Sequence, residues 1–303
     1  MTATVGDAQA DLDFYRDVLG LRLVKKTVNF DNHNVYHFYY GNEQGSPGTI
    51  WTTFPYKGWG VLPGQHGEGQ ITLTSFSVPA SSLGFWRKRL RARGVKADEP
   101  DSPPGTDAVV FSDPSGLRIQ LLGTPDPRAP WTGSGIGAHE GVRGLHSVSL
   151  SVGVAAPTVA LLTGVLGFEV VEESEGRIRL AVNGREPGKI IEILHGSGAP
   201  RARNGLGTVH HVALAIEGLD QQLRLRAELI GRGLGVTDVL DRQYFQSIYF
   251  REPGGVLLEV ATISPGFTVD EPLAALGGEL KLPPWEEPHR ATIERGLPRV
   301  TSS

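Results

Sequence analysis

Cysteine is absent from the 303 residues. That excludes disulfides, thiolate nucleophiles, iron–sulfur clusters and Cys-ligated zinc together, so any metal must sit on nitrogen and oxygen donors. Runs of one charge are also missing: 29 basic and 33 acidic side chains leave a net charge of −4, with no basic tail to hold nucleic acid. The basic stretch Trp86 to Arg93 reads as the solvated face of a helix. No basic-then-apolar leader opens the chain, which carries Asp7, Asp11 and Asp13 there instead, so a cytoplasmic protein is expected. Nor is there a membrane span. The stretch 147–168 is uncharged, but Ser149, Ser151, Pro157, Thr158 and Thr163 divide it into strand, turn and helix. Nucleophile elbows of the GxSxG type are lacking, and Gly133 to Gly137 does not join a strand to a helix as a dinucleotide loop must.

Glycine and proline are plentiful, at 40 and 21 residues, which fits a turn-rich globular chain below the level of low-complexity disorder. The chain also repeats itself. Val18-Leu19-Gly20-Leu21 and Val165-Leu166-Gly167-Phe168 each end an amphipathic helical stretch on Gly and open an alternating strand. The segments Phe111 to Gly116 and Phe250 to Gly255 each read as strand, turn and further strand. Four units follow, residues 1–56, 67–123, 143–196 and 205–262, and such self-similarity decides the fold before any single residue is weighed. The expectation is an α+β protein of four βαβββ units forming two paired-repeat domains with cup-shaped mixed sheets. Residues 1–123 form the N-terminal pair, 124–142 a Pro/Gly-rich linker, 143–262 the C-terminal pair, and 263–303 a tail packed on the surface.

Strand phase then points to a site. Side chains alternate across a strand, so His211, Ala213 and Ala215 share a small-residue face opposite Val212, Leu214 and Ile216. By this phase His211 looks into the cup and His210 away from it. Glu259 is the one acid in the apolar strand Val256-Leu257-Leu258-Glu259, and a buried carboxylate is costly unless paired or metal-bound. The equivalent pairs are Leu73 and Gln120 in unit two and Ser147 and Glu192 in unit three, so unit four alone supplies both His and Glu. Taken singly, His211 reads as a core histidine and Glu259 as a partner of Arg242 or Arg251. Taken together they read as two ligands of a hard or borderline divalent ion. His33 and His37 lie in a unit-one segment able to reach the same cup.

With VLGLRLVKKTVNFD, GSPGT, HHVA, DRQYFQSIYFREPGGVLLEVAT and LKLPPWEEPHR, the chain resembles the vicinal oxygen chelate superfamily, which includes glyoxalases, bleomycin resistance proteins and extradiol dioxygenases. Within it, the likeness is to ring-cleaving dioxygenases acting on hydroquinones. The resemblance implies an Fe(II) ion, with Mn(II) or another divalent ion as alternatives, held by His211, Glu259 and a third His. Family members carry His-His-Ile-Thr before the stretch matching Thr2 to Gln9, which sets that third ligand one residue upstream of Met1, absent from this chain. It also implies supporting catalytic roles for His210, Arg242 and Tyr249. A small aromatic and O2 are the implied partners, with no nucleic acid and no membrane, and edge strands of this fold often pair copies into a homo-oligomer. Two rival functions stay open here: a glyoxalase-type metalloenzyme, against which Thr52 stands where a second carboxylate is expected, and a non-catalytic binder of an aromatic or antibiotic molecule.

Overall fold

A computed structural model describes residues 1–98 and 107–301. Each repeat forms a strand, a helix and three further strands. Unit one runs β1 (Thr2–Val5), α1 (Ala8–Leu12), β2 (Arg22–Asn29), β3 (Asn32–Gly41) and β4 (Trp51–Pro55). Unit two runs β5 (Gln70–Val78), α2 (Leu83–Ala92), β6 (Ala97–Asp98), β7 (Ala108–Ser112) and β8 (Arg118–Gly123). Unit three runs β9 (Gly144–Val152), α3 (Ala155–Gly164), β10 (Phe168–Ser174), β11 (Arg177–Val182) and β12 (Ile190–His195). Unit four runs β13 (Thr208–Ile216), α4 (Leu219–Gly231), β14 (Leu240–Asp241), β15 (Gln246–Arg251) and β16 (Leu257–Thr262).

Local chemistry accounts for the helix ends. The Asp7 carboxylate accepts from the backbone N–H groups of Gln9 and Ala10 at 3.0 Å and caps α1. Gly20 and Gly167 end their helical stretches at φ +71° and +74°, a conformation that costs glycine little. At Gly20 a Cβ would also stand 2.5 Å from Ile136 Cδ1. The uncharged stretch 147–168 divides into β9 and α3, and among the described residues no helix is long and apolar enough to cross a membrane. Trp86 and Leu90 bury one face of α2 and leave Arg87, Lys88 and Arg91 exposed.

The strands form two curled, mixed sheets, ordered β14-β15-β16-β13-β1-β4-β3-β2 and β10-β11-β12-β9-β5-β8-β7-β6. In each sheet the first strands of two units pair antiparallel, and each first strand pairs parallel with the last strand of its own unit. Unit one therefore shares a sheet with unit four, and unit two with unit three. This corrects the expected N-terminal and C-terminal pairs: the sheets cross the 124–142 boundary. Self-similarity identifies the units, but it carries no signal for which first strand meets which.

Aromatic residues fill the core on the helix side of unit one, where Tyr15, Tyr40 and Trp51 are fully buried and the Tyr15 ring lies 5.1 Å from that of Tyr40 and 5.6 Å from that of Trp51. Buried among them, Asp11 Oδ2 accepts from Tyr40 Oη at 2.7 Å and Thr53 Oγ1 at 2.6 Å. Burial raises its pKa from 3.8 to about 8, against those two hydrogen bonds. Between those values the folded chain holds a proton that the unfolded chain has lost, so this group's contribution to stability falls as pH rises through that window. Asp11→Asn should flatten the slope, which denaturation midpoints measured from pH 5 to 8 will show; an unchanged slope would locate the pH dependence elsewhere.

Beyond β16 the tail returns to unit one. Leu280 bridges Lys26, the helix α5 (Arg290–Gly296) packs on β3, and Leu276, Leu282, Ile293 and Leu297 are buried. Lys25, fully buried on β2, pairs with Asp270 at 2.5 Å and with Glu271.

Candidate metal centre

Strand register assembles a polar row across the first sheet. Tyr249 faces Glu259, Glu259 faces Ala213, His211 faces Thr2, Thr2 faces Thr52, and Thr52 faces Tyr39. His37 lies two residues before Tyr39 and so shares its face.

At the centre of the row, His211 Nε2 stands 2.9 Å from Glu259 Oε2, with the two residues only 5% and 4% exposed. The other carboxylate oxygen accepts from Ser247 Oγ at 2.5 Å and Tyr249 Oη at 2.6 Å. His210 Nδ1 lies 2.8 Å from His211 Nδ1. The Arg242 guanidinium sits 5.3 Å over the Tyr249 ring and pairs with Asp31 at 3.1 and 3.2 Å. On the far side, His37 Nε2 contacts Thr52 Oγ1 and the Thr52 hydroxyl contacts Thr2 Oγ1, both at 2.9 Å. Phe54 and Tyr39 wall this side, with ring centroids 4.2 and 4.0 Å from that of His37. The cluster lines a cavity of about 1260 Å³ that continues past the loop 44–48 to His146 and Lys189.

The electrostatics separate these groups. Burial works against ionisation of Glu259, but the charge of His211 and the hydrogen bonds from His211, Ser247 and Tyr249 hold its carboxyl at about 2. Burial, then the neighbouring His211 charge, lowers His210 to about 4 and His37 well below its ordinary value, so both are neutral near pH 7. Burial and the Glu259 charge push the Tyr249 phenol up, keeping its proton in place. The arrangement thus sets the ionised Glu259, the neutral imidazoles of His210 and His37, the protonated phenol of Tyr249 and the Arg242 guanidinium about one pocket.

Two expectations need correction. His210 lines the same cavity as His211 instead of facing away. The register between β1 and β13 slips there, from Thr2 opposite His211 to Ala3 opposite Val209, so His210 is the extra residue of a bulge, and a bulge breaks strict alternation. Glu259 pairs with neither Arg242 nor Arg251: Arg242 takes Asp31, and Arg251 donates to the Gly255 carbonyl. Among the described residues no three His, Asp or Glu side chains gather closely enough to hold a metal. The two donors that do converge, an imidazole nitrogen and a carboxylate oxygen with no sulfur, fit a hard or borderline divalent ion. Sequence reasoning missed Ser247, Thr2 and Asp31, which carry no metal-ligand spacing and become visible only through register.

The second sheet repeats the architecture without the site. Glu192 faces Ser149 as Glu259 faces Ala213, but the Arg179 guanidinium donates to Glu192 at 2.8 and 3.1 Å, and Ser147 stands in the place of His211. A cation of the protein's own already neutralises that acid.

Comparison with known proteins identifies the family and the fold. The sequence model of the Glyoxalase/Bleomycin resistance protein/Dioxygenase superfamily matches residues 1–121 and 144–260. The chain is 42% identical to a Bacillus subtilis (strain 168) protein named "Putative ring-cleaving dioxygenase MhqE", over 99% of this chain and 97% of that one. It is 34% identical to a chlorohydroquinone/hydroquinone 1,2-dioxygenase of Sphingobium indicum, over 94% and 90%. A crystal structure of a Bacillus subtilis protein titled "putative dioxygenase" superposes with a TM-score of 0.94 at 39% identity, over 99% of this chain and 96% of that one. Glyoxalase I from Zea mays shares the fold, with a TM-score of 0.67 at 14% identity over 87% of this chain and 91% of its own.

Proposed function

The chain belongs to the glyoxalase/bleomycin resistance protein/dioxygenase superfamily, and we propose that it is an Fe(II)-dependent, extradiol-type dioxygenase that opens a hydroquinone or catechol-like ring with O2. The observation that carries this reading is the buried 2.9 Å approach of His211 Nε2 to Glu259 Oε2 on the wall of an aromatic-lined cavity. His211 and Glu259 would hold the ion, Fe(II) before Mn(II) or another divalent metal. Bound there, it would supply the Lewis-acid and redox chemistry that lets an electron-rich ring react with O2.

The remaining steps belong to the chain's own residues. With Nε2 turned to a cation, His211 keeps its proton on Nδ1 and donates it to Nδ1 of neutral His210. That fixes the ligand ring and leaves the Nε2–H of His210 as a donor. Tyr249 holds a proton at its hydroxyl, next to Glu259, where it can be passed to a reacting oxygen. Arg242 adds positive charge where negative charge develops on the ring oxygens. Phe54 and Tyr39 offer ring edges and faces to an aromatic substrate. A glyoxalase-type site is disfavoured because Thr52, in the register position of a second carboxylate, is engaged with His37 and Thr2.

The test is anaerobic Fe(II) loading followed by oxygen uptake with hydroquinone and with catechol. Uptake should be iron-dependent and place two labelled atoms from ¹⁸O2 in the ring-opened product. Uptake with neither substrate would turn the assignment toward the glyoxalase-type or binding alternatives. Because Arg179 already satisfies Glu192, elemental analysis of desalted protein should find one ion per chain, and two would contradict the asymmetry between the sheets.

A further inference from the structure

We propose that Asp31 is the positioning residue for Arg242, an ion pair that stitches the mouth of the first sheet and sets the guanidinium for a substrate oxygen. This assignment rests on the dioxygenase reading for the identity of the ligand. Asp31 sits in the turn between β2 and β3, and Arg242 directly follows β14. β2 and β14 are opposite edges of the same eight-stranded sheet, so the pair spans the gap that curling leaves between its ends. The segments VNFD and DRQYF, which the repeat pattern did not explain, meet at this contact.

Both partners are held from behind. The Asn29 side chain accepts from the Asp31 backbone N–H and donates to Tyr56 Oη, each at 2.9 Å. Outside the turn, Phe30 packs edge-on against Trp285 at 5.6 Å, and His33 Nδ1 lies 3.3 Å from Glu286. On the other side, Arg242 sits in a tight loop in which its N–H donates to the Phe245 carbonyl at 2.9 Å and its own carbonyl accepts from Tyr244 at 2.7 Å. The tail, given no chemistry in the sequence reading, thus braces the turn that carries Asp31.

The geometry separates positioning from stability. The Arg242 side chain is 15% exposed but that of Asp31 is 71% exposed, and exposed pairs add little to folding. Asp31 engages Nη1 and Nη2, and a guanidinium carries five N–H donors, so donors remain for a ring oxygen while the side chain stays fixed over Tyr249. Without Asp31 the long side chain regains its rotamers, and each binding event must order it again.

The experiment is a double-mutant cycle of Asp31→Asn and Arg242→Gln, read first as anaerobic calorimetric binding of hydroquinone to Zn(II)-loaded protein and then as kcat/KM of the Fe(II) form. Asp31→Asn should weaken hydroquinone binding about tenfold, move Tm by less than about 2 °C, and leave Zn(II) affinity within about twofold, while Asp31→Glu recovers most of the loss. The double variant should bind no worse than Arg242→Gln alone, since Asp31 acts only through Arg242. Additive losses, unaltered binding in Asp31→Asn, a parallel fall in Zn(II) affinity, or wild-type protein that does not bind hydroquinone would each overturn the assignment. Wild-type protein that binds hydroquinone but consumes no oxygen with Fe(II) would sink the dioxygenase reading alone, and the binding cycle would still decide this one.

Discussion

Glu259→Gln is expected to lower iron-dependent oxygen uptake by more than about 100-fold, the upper end of what losing a mere partner of a metal ligand costs. The amide keeps the shape of the acid but removes the charge that His211 faces at 2.9 Å. It also changes the group to which Ser247 and Tyr249 donate. Iron retained after desalting should fall in parallel, while far-UV circular dichroism stays that of the wild type. Activity within tenfold of wild type would remove Glu259 from the ligand set and the dioxygenase assignment with it.

Lys25→Met is expected to destabilise the fold by about 3–5 kcal/mol, the usual consequence of breaking a buried ion pair from one side. The ammonium is fully buried beneath the Tyr244 ring at 5.0 Å and pairs with Asp270 at 2.5 Å and with Glu271. Asp270 is partly exposed and can rehydrate, but Glu271 is buried and would be left as an uncompensated acid. Urea titration measures the loss, and limited proteolysis should show cleavage within residues 263–301 before the sheets open. Val24, Tyr39, Tyr244, Phe267 and Leu276 form one apolar cluster here, and Tyr39 also lines the cavity, so the damage should reach catalysis. A loss below about 1 kcal/mol would mean that apolar contacts alone hold the tail.

Much of this architecture was legible in the sequence because repeated units carry repeated signals. The helix-stopping Gly20 and Gly167, the turns at Gly116 and Gly255, and the alternation through β13 are local features, and local features survive translation into structure. His211 and Glu259 were legible for a related reason: an imidazole and an acid at corresponding positions of otherwise apolar strands stand out by chemistry. His210 was misread because a bulge is a property of two strands and leaves no trace in one. Asp31 and Lys25 were invisible as partners because their counterparts, Arg242 and the pair Asp270 and Glu271, lie more than two hundred positions away in the chain. Spacing arguments see along a segment and are blind across a sheet.

The marriage of first and fourth repeats also fixes a timetable for biosynthesis. Thr2 must wait for His211 to emerge before β1 finds its antiparallel neighbour. At ribosomal speeds of about 5–20 residues per second, that is a delay on the order of ten to forty seconds. Meanwhile the second and third repeats, contiguous in the chain, are free to join first. The nascent protein should therefore mature from its middle outward, with the fourth repeat, which carries His211 and Glu259, arriving last to recruit a strand made long before it.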